Sequence, residues 1–421
     1  MLIQDSVNPS SQVSISSCDV SDQSVENLRL LVNMLCPCDA IKKEAFLNKW
    51  DLYKAIFQKV FSSYDTQNMS EIFQKMFSSP SDKSVIILTD LEPDDRRALE
   101  IATSYFDNKY ILFVGCSLAH SGRKTALTRV HLDKLGAEEV SVVQGTGGDI
   151  FSYGTVSSMK AAITYLQEGV GILGDRELQE INLRPYSSLA LQNSLAEALD
   201  KADPKSIDFI ILAPPTDLVQ VLKKEPKIAE KIRSIHIMGG WFEKEGKKYT
   251  SYNFDMDIDA AADLMAMENI PMYLYSSHLL KNTFGRSVNR DNFPAVIDII
   301  EKCTPYLGFL QDSQNATIHW NEHVMKTIVE LEKIIGPYKD HQFTPADLCP
   351  VIGMINPQFV KSYEPISIQI DRSHSKQSSC EMYVENNPNS SIRLVTDIDL
   401  DIFQKEIQLA YLRHLLKDLY R

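Results

Sequence analysis

The chain has 421 residues, 44% of them hydrophobic and 24% charged, the balance of an ordinary globular protein with enough length for a large core and a smaller appendage. Asp and Glu total 56 against 43 Lys and Arg, and the formal net charge of −13 argues against nucleic acid or an anionic membrane as partners. No run approaches the ~18 apolar residues of a membrane span, and the first residues lack the basic and apolar regions of a signal peptide. A cytoplasmic location is therefore expected.

Residues 1–25 are rich in Ser, Gln, Asp and Asn and read as disordered. Across residues 26–80, apolar residues recur at helical spacing, among them Leu28, Leu31 and Leu35, then Leu52, Ile56 and Val60. A small helical appendage is expected there, ending in the linker Ser78-Ser79-Pro80-Ser81. It is the candidate surface for a protein partner, and assembly into a homo-oligomer is left open.

From Ser84 onward the text alternates between strand and helix. Strand-like runs are 84–90, 110–116, 140–143, 207–212, 235–238 and 272–275. Helical stretches fall at 96–106, 123–135, 191–201, 217–223 and 257–267, and Phe403–Leu419 reads as a closing helix. This alternation predicts an α/β domain over 84–421, with a mostly parallel central sheet and helices on both faces. The seven cysteines (18, 36, 38, 116, 303, 349 and 380) form no disulfide framework and read as reduced thiols. Cys36-Pro-Cys38 has no second pair at zinc-site spacing. Gly145-Thr146-Gly147-Gly148-Asp149 lacks the Lys-Ser/Thr ending of a phosphate loop and reads as a plain turn.

The densest chemistry lies in Ser84–Ala98. The apolar run Val85-Ile86-Ile87-Leu88 stops at Asp90, and Asp94 and Asp95 follow a Glu-Pro turn. A buried parallel strand ending in this way places its next residues in the crevice where α/β proteins bind ligands. Three carboxylates so close together repel one another unless a cation or proton compensates, and their hard oxygens suit Ca²⁺ or Mg²⁺. The same aspartates would also serve as an ordinary helix cap in a solvated turn.

Four more segments follow in order. Ile211-Leu212-Ala213-Pro214-Pro215-Thr216-Asp217-Leu218 closes a strand, and Ile235-His236-Ile237-Met238-Gly239-Gly240 closes another. Tyr252-Asn253-Phe254-Asp255-Met256-Asp257-Ile258-Asp259-Ala260-Ala261 and Asp347-Leu348-Cys349-Pro350-Val351-Ile352 complete the series. Together with Asp90–Asp95, these resemble the motifs of the nucleoside hydrolases, Ca²⁺-dependent enzymes that cleave the N-glycosidic bond of ribonucleosides. The resemblance covers Ser84–Arg421. It implies that Asp90, Asp95, Asp347 and the backbone carbonyl of Leu212 ligate Ca²⁺, with Asp90 also taking the proton from the metal-bound water. It further implies that Asp94, Met238, Asn253, Asp347 and Ser121 contact the ribose of a small-molecule riboside substrate.

The chain departs from the family at several positions. Ala346 stands where the inosine–uridine type carries a histidine able to protonate the departing base. Ser251 replaces an acidic residue, Ser121 an asparagine and Glu92 a glycine. His120, His278, His319, His323 and His341 are the substitute acids to consider, with Trp320 able to stack on a base. The main expectation is a Ca²⁺-assisted riboside hydrolase. Its rivals are a hydrolase of nicotinamide-type ribosides, whose cationic leaving group needs no acid, and a non-catalytic binding or effector protein on the same fold.

Overall fold

The computed structural model describes residues 83–117, 121–146, 190–267, 269–284, 345–373 and 379–420, together with 288, 293, 294 and 296. The sequence expectations for residues 1–80, and those for His120, Gly147–Asp149, His319, Trp320, His323 and His341, lie outside the described residues.

The strands are β1 (Ser84–Thr89), β2 (Ile111–Cys116), β3 (Val142–Gln144), β4 (Ile207–Ile211), β5 (Ile232–Gly239), β6 (Trp241–Lys244), β7 (Lys247–Thr250), β8 (Met272–Ser276), β9 (Val360–Ile370), β10 (Glu381–Asn386) and β11 (Ile392–Ile398). They form one sheet in the order β3-β2-β1-β4-β5-β8-β11-β9-β10-β7-β6. From β3 to β11 every neighbouring pair is parallel; from β11 to β6 every pair is antiparallel. In the parallel half, β1 to β5 and β8 are the strands expected from the sequence, and β11 is an addition. The antiparallel half escaped that reading because β6, β7, β9 and β10 carry exposed polar positions and short pairings in place of continuous apolar runs. The long strand β9 pairs with β11 through its first half and with β10 from Ile366 onward. Pro365 sits where one partner gives way to the other, a place where its missing N–H is tolerated.

The helices are α1 (Pro93–Tyr105), α2 (Ser121–Lys134), α3 (Ala190–Lys201), α4 (Thr216–Lys224), α5 (Tyr252–Met256), α6 (Ile258–Met265), α7 (Ser277–Phe284), α8 (Leu348–Ile355) and α9 (Leu400–Tyr420). Strand side chains alternate between the two faces with a period of two. Ile86, Leu88, Phe209, Ile211, Ile235, Ile237, Met272 and Leu274 form one core with Leu191, Leu195 and Leu199 of α3, Leu218 and Leu222 of α4, and Leu264 of α6. The other face is covered by α8, where a Cβ at Gly353 would overlap the Tyr275 hydroxyl of β8. On α1, Arg97 donates to the Tyr411 hydroxyl of α9 at 2.8 Å, and His414 Nε2 lies 2.6 Å from the Glu100 carbonyl.

The helix expected at 257–267 is α6, and a short helix that was not expected, α5, precedes it, the two meeting at Asp257. There the Asp257 side chain caps α6 by accepting from the Ala260 N–H at 3.0 Å. Among the described residues, Cys116, Cys349 and Cys380 are buried free thiols. No described helix is long and apolar enough to cross a membrane.

Candidate active site

The register of the parallel strands assembles the site. Leu88 of β1 pairs with Ile211 of β4, and Ile211 with Ile237 of β5. One step further, Thr89, Leu212 and Met238 therefore share the carboxyl edge of three adjacent strands. The Leu212 N–H donates to the Leu88 carbonyl at 2.8 Å, which locks β4 to β1 at this point.

Beyond β1 the chain turns through Leu91, a non-glycine residue at φ 54°. A left-handed leucine is unfavourable on its own, by about 1–2 kcal/mol, and the surrounding bonds hold it. The Leu91 N–H donates to Thr89 Oγ1 at 3.0 Å, Thr89 Oγ1 donates to Asp95, and the Glu92 N–H donates to Asp95 Oδ2 at 2.8 Å. Helix α1 then begins with Pro93 in its first turn and Asp94 and Asp95 just behind, where carboxylates favour the helix dipole. The aspartates thus cap the helix, and they also do something a cap does not require.

Asp347, more than two hundred residues later in the chain, stands at the N-terminus of α8, which packs against α1, β4 and β5. Side-chain oxygens of Asp94, Asp95 and Asp347 all lie within 4.8 Å of one another, so the group could hold a metal ion. Asp90 adjoins Asp95 and is 1% exposed, and its Oδ2 is buried without a hydrogen-bond partner among the described residues. Burial, reinforced by the mutual repulsion of the carboxylates, pushes Asp90, Asp95 and Asp347 above the usual carboxylate range. Asp94 rises to about 7, chiefly through the loss of hydration around its carboxyl. Glu92 is raised by burial and by Asp90. Such a group binds protons or a cation in preference to standing fully ionised. Two oxygens on opposite sides of a Ca²⁺ stand about 4.6–5.2 Å apart, which agrees with the spacing seen. Hard donors, correct spacing and an unpartnered carboxylate oxygen together make the donor set a fit for such an ion.

The second group lies on β4 and β5. Asn253 of α5 is buried, and its Nδ2 donates to the Leu212 carbonyl at 2.8 Å and to the Met238 carbonyl at 3.3 Å. Helix α5 closes on the strand ends because Gly239 leaves room for Phe254: a Cβ at Gly239 would collide with that ring. Gly240 follows at φ 92°, where glycine is at ease, and its carbonyl accepts from the Ser251 N–H at 2.9 Å. Ser251, in place of an acidic residue, is buried at the N-terminus of α5.

Ser121, the first residue of α2, accepts a hydrogen bond from Gln144 Nε2 at 3.0 Å, which ties it to the β3 edge. Ala346 is buried beside Asp347 and offers no proton. Of the histidines considered as its substitute, His278 is described. Its Nε2 lies 2.9 Å from Asn282 and its Nδ1 3.8 Å from Glu243 at a partly exposed position.

Three features went unremarked in the sequence. Thr89 orients Asp95, and the dense signal of the neighbouring aspartates hid it. Lys124 of α2 is buried, and its charge acts on Asp90 and Glu92; a lone lysine in a helix gives no sequence signal of this. Asp217 gathers the Thr146 N–H at 3.0 Å, Thr146 Oγ1 at 2.7 Å and Gln192 Nε2 at 3.2 Å, so the turn at Gly145-Thr146 is pinned to α4.

The family model for inosine-uridine preferring nucleoside hydrolases matches residues 85–405, most of the chain. A curated protein of Oryza sativa subsp. japonica, described as probable uridine nucleosidase 2, is 24% identical over 213 residues, covering 49% of this chain and 59% of that protein. Among solved structures, a purine-preferring ribonucleoside hydrolase from Gardnerella vaginalis matches at TM-score 0.54 and 18% identity, over 78% of this chain and 100% of its own. The type III effector protein XopQ, complexed with adenosine diphosphate ribose, matches at TM-score 0.52 and 17% identity, over 82% of this chain and 97% of its own. These structural likenesses establish the fold, and the family match goes further: this chain belongs to the inosine-uridine preferring nucleoside hydrolase family.

Proposed function

We propose that the chain hydrolyses the N-ribosidic bond of a nucleoside or related riboside, with Ca²⁺ held by Asp90, Asp95, Asp347 and the Leu212 carbonyl. The observation that carries this reading is the convergence of Asp347 on Asp94 and Asp95 at the carboxyl edge of the parallel strands. Family membership supports it. The ion supplies Lewis acidity, lowering the pKa of water beside the sugar. Asp90 Oδ2, buried and unpartnered among the described residues, takes the water's proton. Asp94 sits within the same oxygen cluster and reaches ribose hydroxyls. Asn253 spends its N–H donors on Leu212 and Met238, holding those two carbonyls in place, which leaves its Oδ1 to accept from a ribose hydroxyl. Met238 packs against the ribose, and Ser121 lies at the edge of this site.

Cleavage through an oxocarbenium-like state also needs relief of charge on the departing base. With Ala346 at the position of the acid, the substrates favoured are those whose leaving group is already cationic or activated, such as nicotinamide riboside. A second reading rests on the same alanine: a fold that binds a ribosyl ligand without turning it over, in line with the effector structure holding adenosine diphosphate ribose. A reducing-sugar assay over a panel of nucleosides, nicotinamide riboside and p-nitrophenyl riboside, with and without Ca²⁺, separates them. Free ribose released only with Ca²⁺ supports hydrolysis; Ca²⁺ bound with no ribose released from any riboside supports the binding reading.

A further inference from the structure

Asn253 is carried by α5, a helix of five residues. Isolated helices shorter than about 12–15 residues are marginal in water, so α5 takes its position from its neighbours and not from its own hydrogen bonds. Just past its C-terminal end, Asp257 Oδ2 accepts from Thr216 Oγ1 of α4 at 2.6 Å. At its N-terminal end the anchor is Thr250, the last residue of β7, which is 0% exposed. The Thr250 N–H donates to the Cys380 carbonyl at 2.9 Å, and the Cys380 N–H donates back to Thr250 Oγ1 at 2.8 Å. The hydroxyl, having accepted that bond, directs its own hydrogen to Asp255 Oδ1 of α5 at 3.1 Å. Two residues along a helix amount to a rotation of about 200°. Asp255 therefore meets Thr250 on one side of α5, while Asn253 meets the Leu212 and Met238 carbonyls on the other. All three side chains are buried.

We propose that Thr250 is a positioning residue of the riboside site: its hydroxyl, held by the Cys380 N–H, fixes α5 through Asp255 and so sets where Asn253 stands. The inference rests on the riboside and ion sites proposed above, where Asn253 acts on the Leu212 carbonyl and on the sugar. Loss of the Thr250 hydroxyl takes one buried bond from the Cys380 N–H and one from Asp255, and each such loss is costly. The helix recovers them only by shifting, and a shift of α5 moves the Asn253 amide off its two carbonyls. The antiparallel half of the sheet, through β7 and Cys380, thereby takes part in a site built at the edge of the parallel half.

The test compares Thr250→Val, which keeps the shape of the side chain and removes its hydroxyl, with Thr250→Ser, which keeps the hydroxyl. On the full-length protein the measurements are Ca²⁺ affinity by calorimetric titration after EDTA treatment, KM and kcat on p-nitrophenyl riboside at saturating Ca²⁺, and the melting temperature. Thr250→Val should raise KM roughly tenfold and weaken Ca²⁺ binding, with kcat within about threefold of wild type. Thr250→Ser should stay near wild type in both. In an Asn253→Ala background, Thr250→Val should change KM and the Ca²⁺ dissociation constant by less than about twofold, because it acts through Asn253. A Thr250→Val protein that melts lower with KM and Ca²⁺ affinity unchanged would overturn the inference, and so would full additivity with Asn253→Ala. Should Thr250→Val not fold, Thr250→Cys takes its place: its thiol is a weaker donor and acceptor, and a smaller rise in KM is expected. If the wild type binds Ca²⁺ but releases no ribose, the dissociation constant of nicotinamide riboside replaces KM and the same outcomes decide. A wild type that binds no riboside overturns the proposed function, and the Ca²⁺ arm then decides whether Thr250 positions Asn253; if Ca²⁺ does not bind either, this inference falls with the site.

Discussion

Asp95→Asn separates the two roles that Asp95 plays. In the structure its carboxyl accepts from Thr89 Oγ1 and from the Glu92 N–H, and it faces Asp94 and Asp347. Asparagine keeps one oxygen to accept from the Glu92 N–H, turns its amide N–H towards Thr89 Oγ1, which then accepts, and removes the charge. Burial and the neighbouring Asp94 push the Asp95 carboxyl upward, so its ionisation costs stability at neutral pH in the metal-free protein. Metal-free Asp95→Asn should therefore melt at or above the metal-free wild type. Ca²⁺ should act in the opposite direction. At a free concentration 100 times Kd, preferential binding to the native state is worth about 2.7 kcal/mol. At about 2 °C per kcal/mol for a domain of this size, the wild type should gain roughly 5 °C. Loss of a charged ligand should remove most of that gain. Differential scanning fluorimetry in EDTA and across a Ca²⁺ series measures both quantities on the same samples. Equal Ca²⁺ shifts in wild type and variant would refute the ligand role, and a variant destabilised in EDTA would refute the account of repulsion between buried carboxylates.

The raised carboxylates also set a pH dependence. Their folded-state pKa values lie above the unfolded ones, so the stability they contribute is present in acid and lost as pH rises, for Asp94 through about 7. Urea melts of the metal-free protein should show this loss, and saturating Ca²⁺ should abolish it. His236 behaves conversely: burial between Tyr273 and Tyr275 lowers it to about 4, so its neutral form supports the fold above about 6.5 and the support fades as pH falls through about 4. His236→Phe should flatten that acid limb relative to wild type in the same melts. Asn253→Leu leaves the Leu212 and Met238 carbonyls without their buried donor and should cost about 1–3 kcal/mol by chemical denaturation, raising KM for any riboside cleaved. General acid assistance is worth about 10²–10⁴-fold, so p-nitrophenyl and nicotinamide ribosides should turn over far faster than inosine or uridine. Ala346→His should narrow that gap, and equal wild-type rates on inosine and p-nitrophenyl riboside would show that another acid serves.

Local sequence determined strands β1 to β5 and β8 of the parallel half and the aspartate-rich turn. Val85–Leu88 and Phe209–Ile211 are continuous apolar runs because both faces of their strands are covered, and such runs are visible without a fold. Helix starts were less legible: the helix read from residue 96 begins at Pro93, whose ring fits the first turn. The hairpin of β6 and β7 and the strands β9 and β10 were not legible, since half-exposed antiparallel strands take their identity from their partners; nor was β11, whose apolar residues are interrupted by Arg393, Thr396 and Asp397. The site divides in the same way. Asp90, Asp94 and Asp95 announce themselves by crowding within six residues, but crowding alone fits a helix cap equally well. Only the packing of α8 against α1 brings Asp347 to them and turns a cap into a donor set. Only the fold buries Lys124 and lets its charge act on Asp90 and Glu92, because the electrostatic meaning of a single lysine depends on which charges surround it and how far water is kept away.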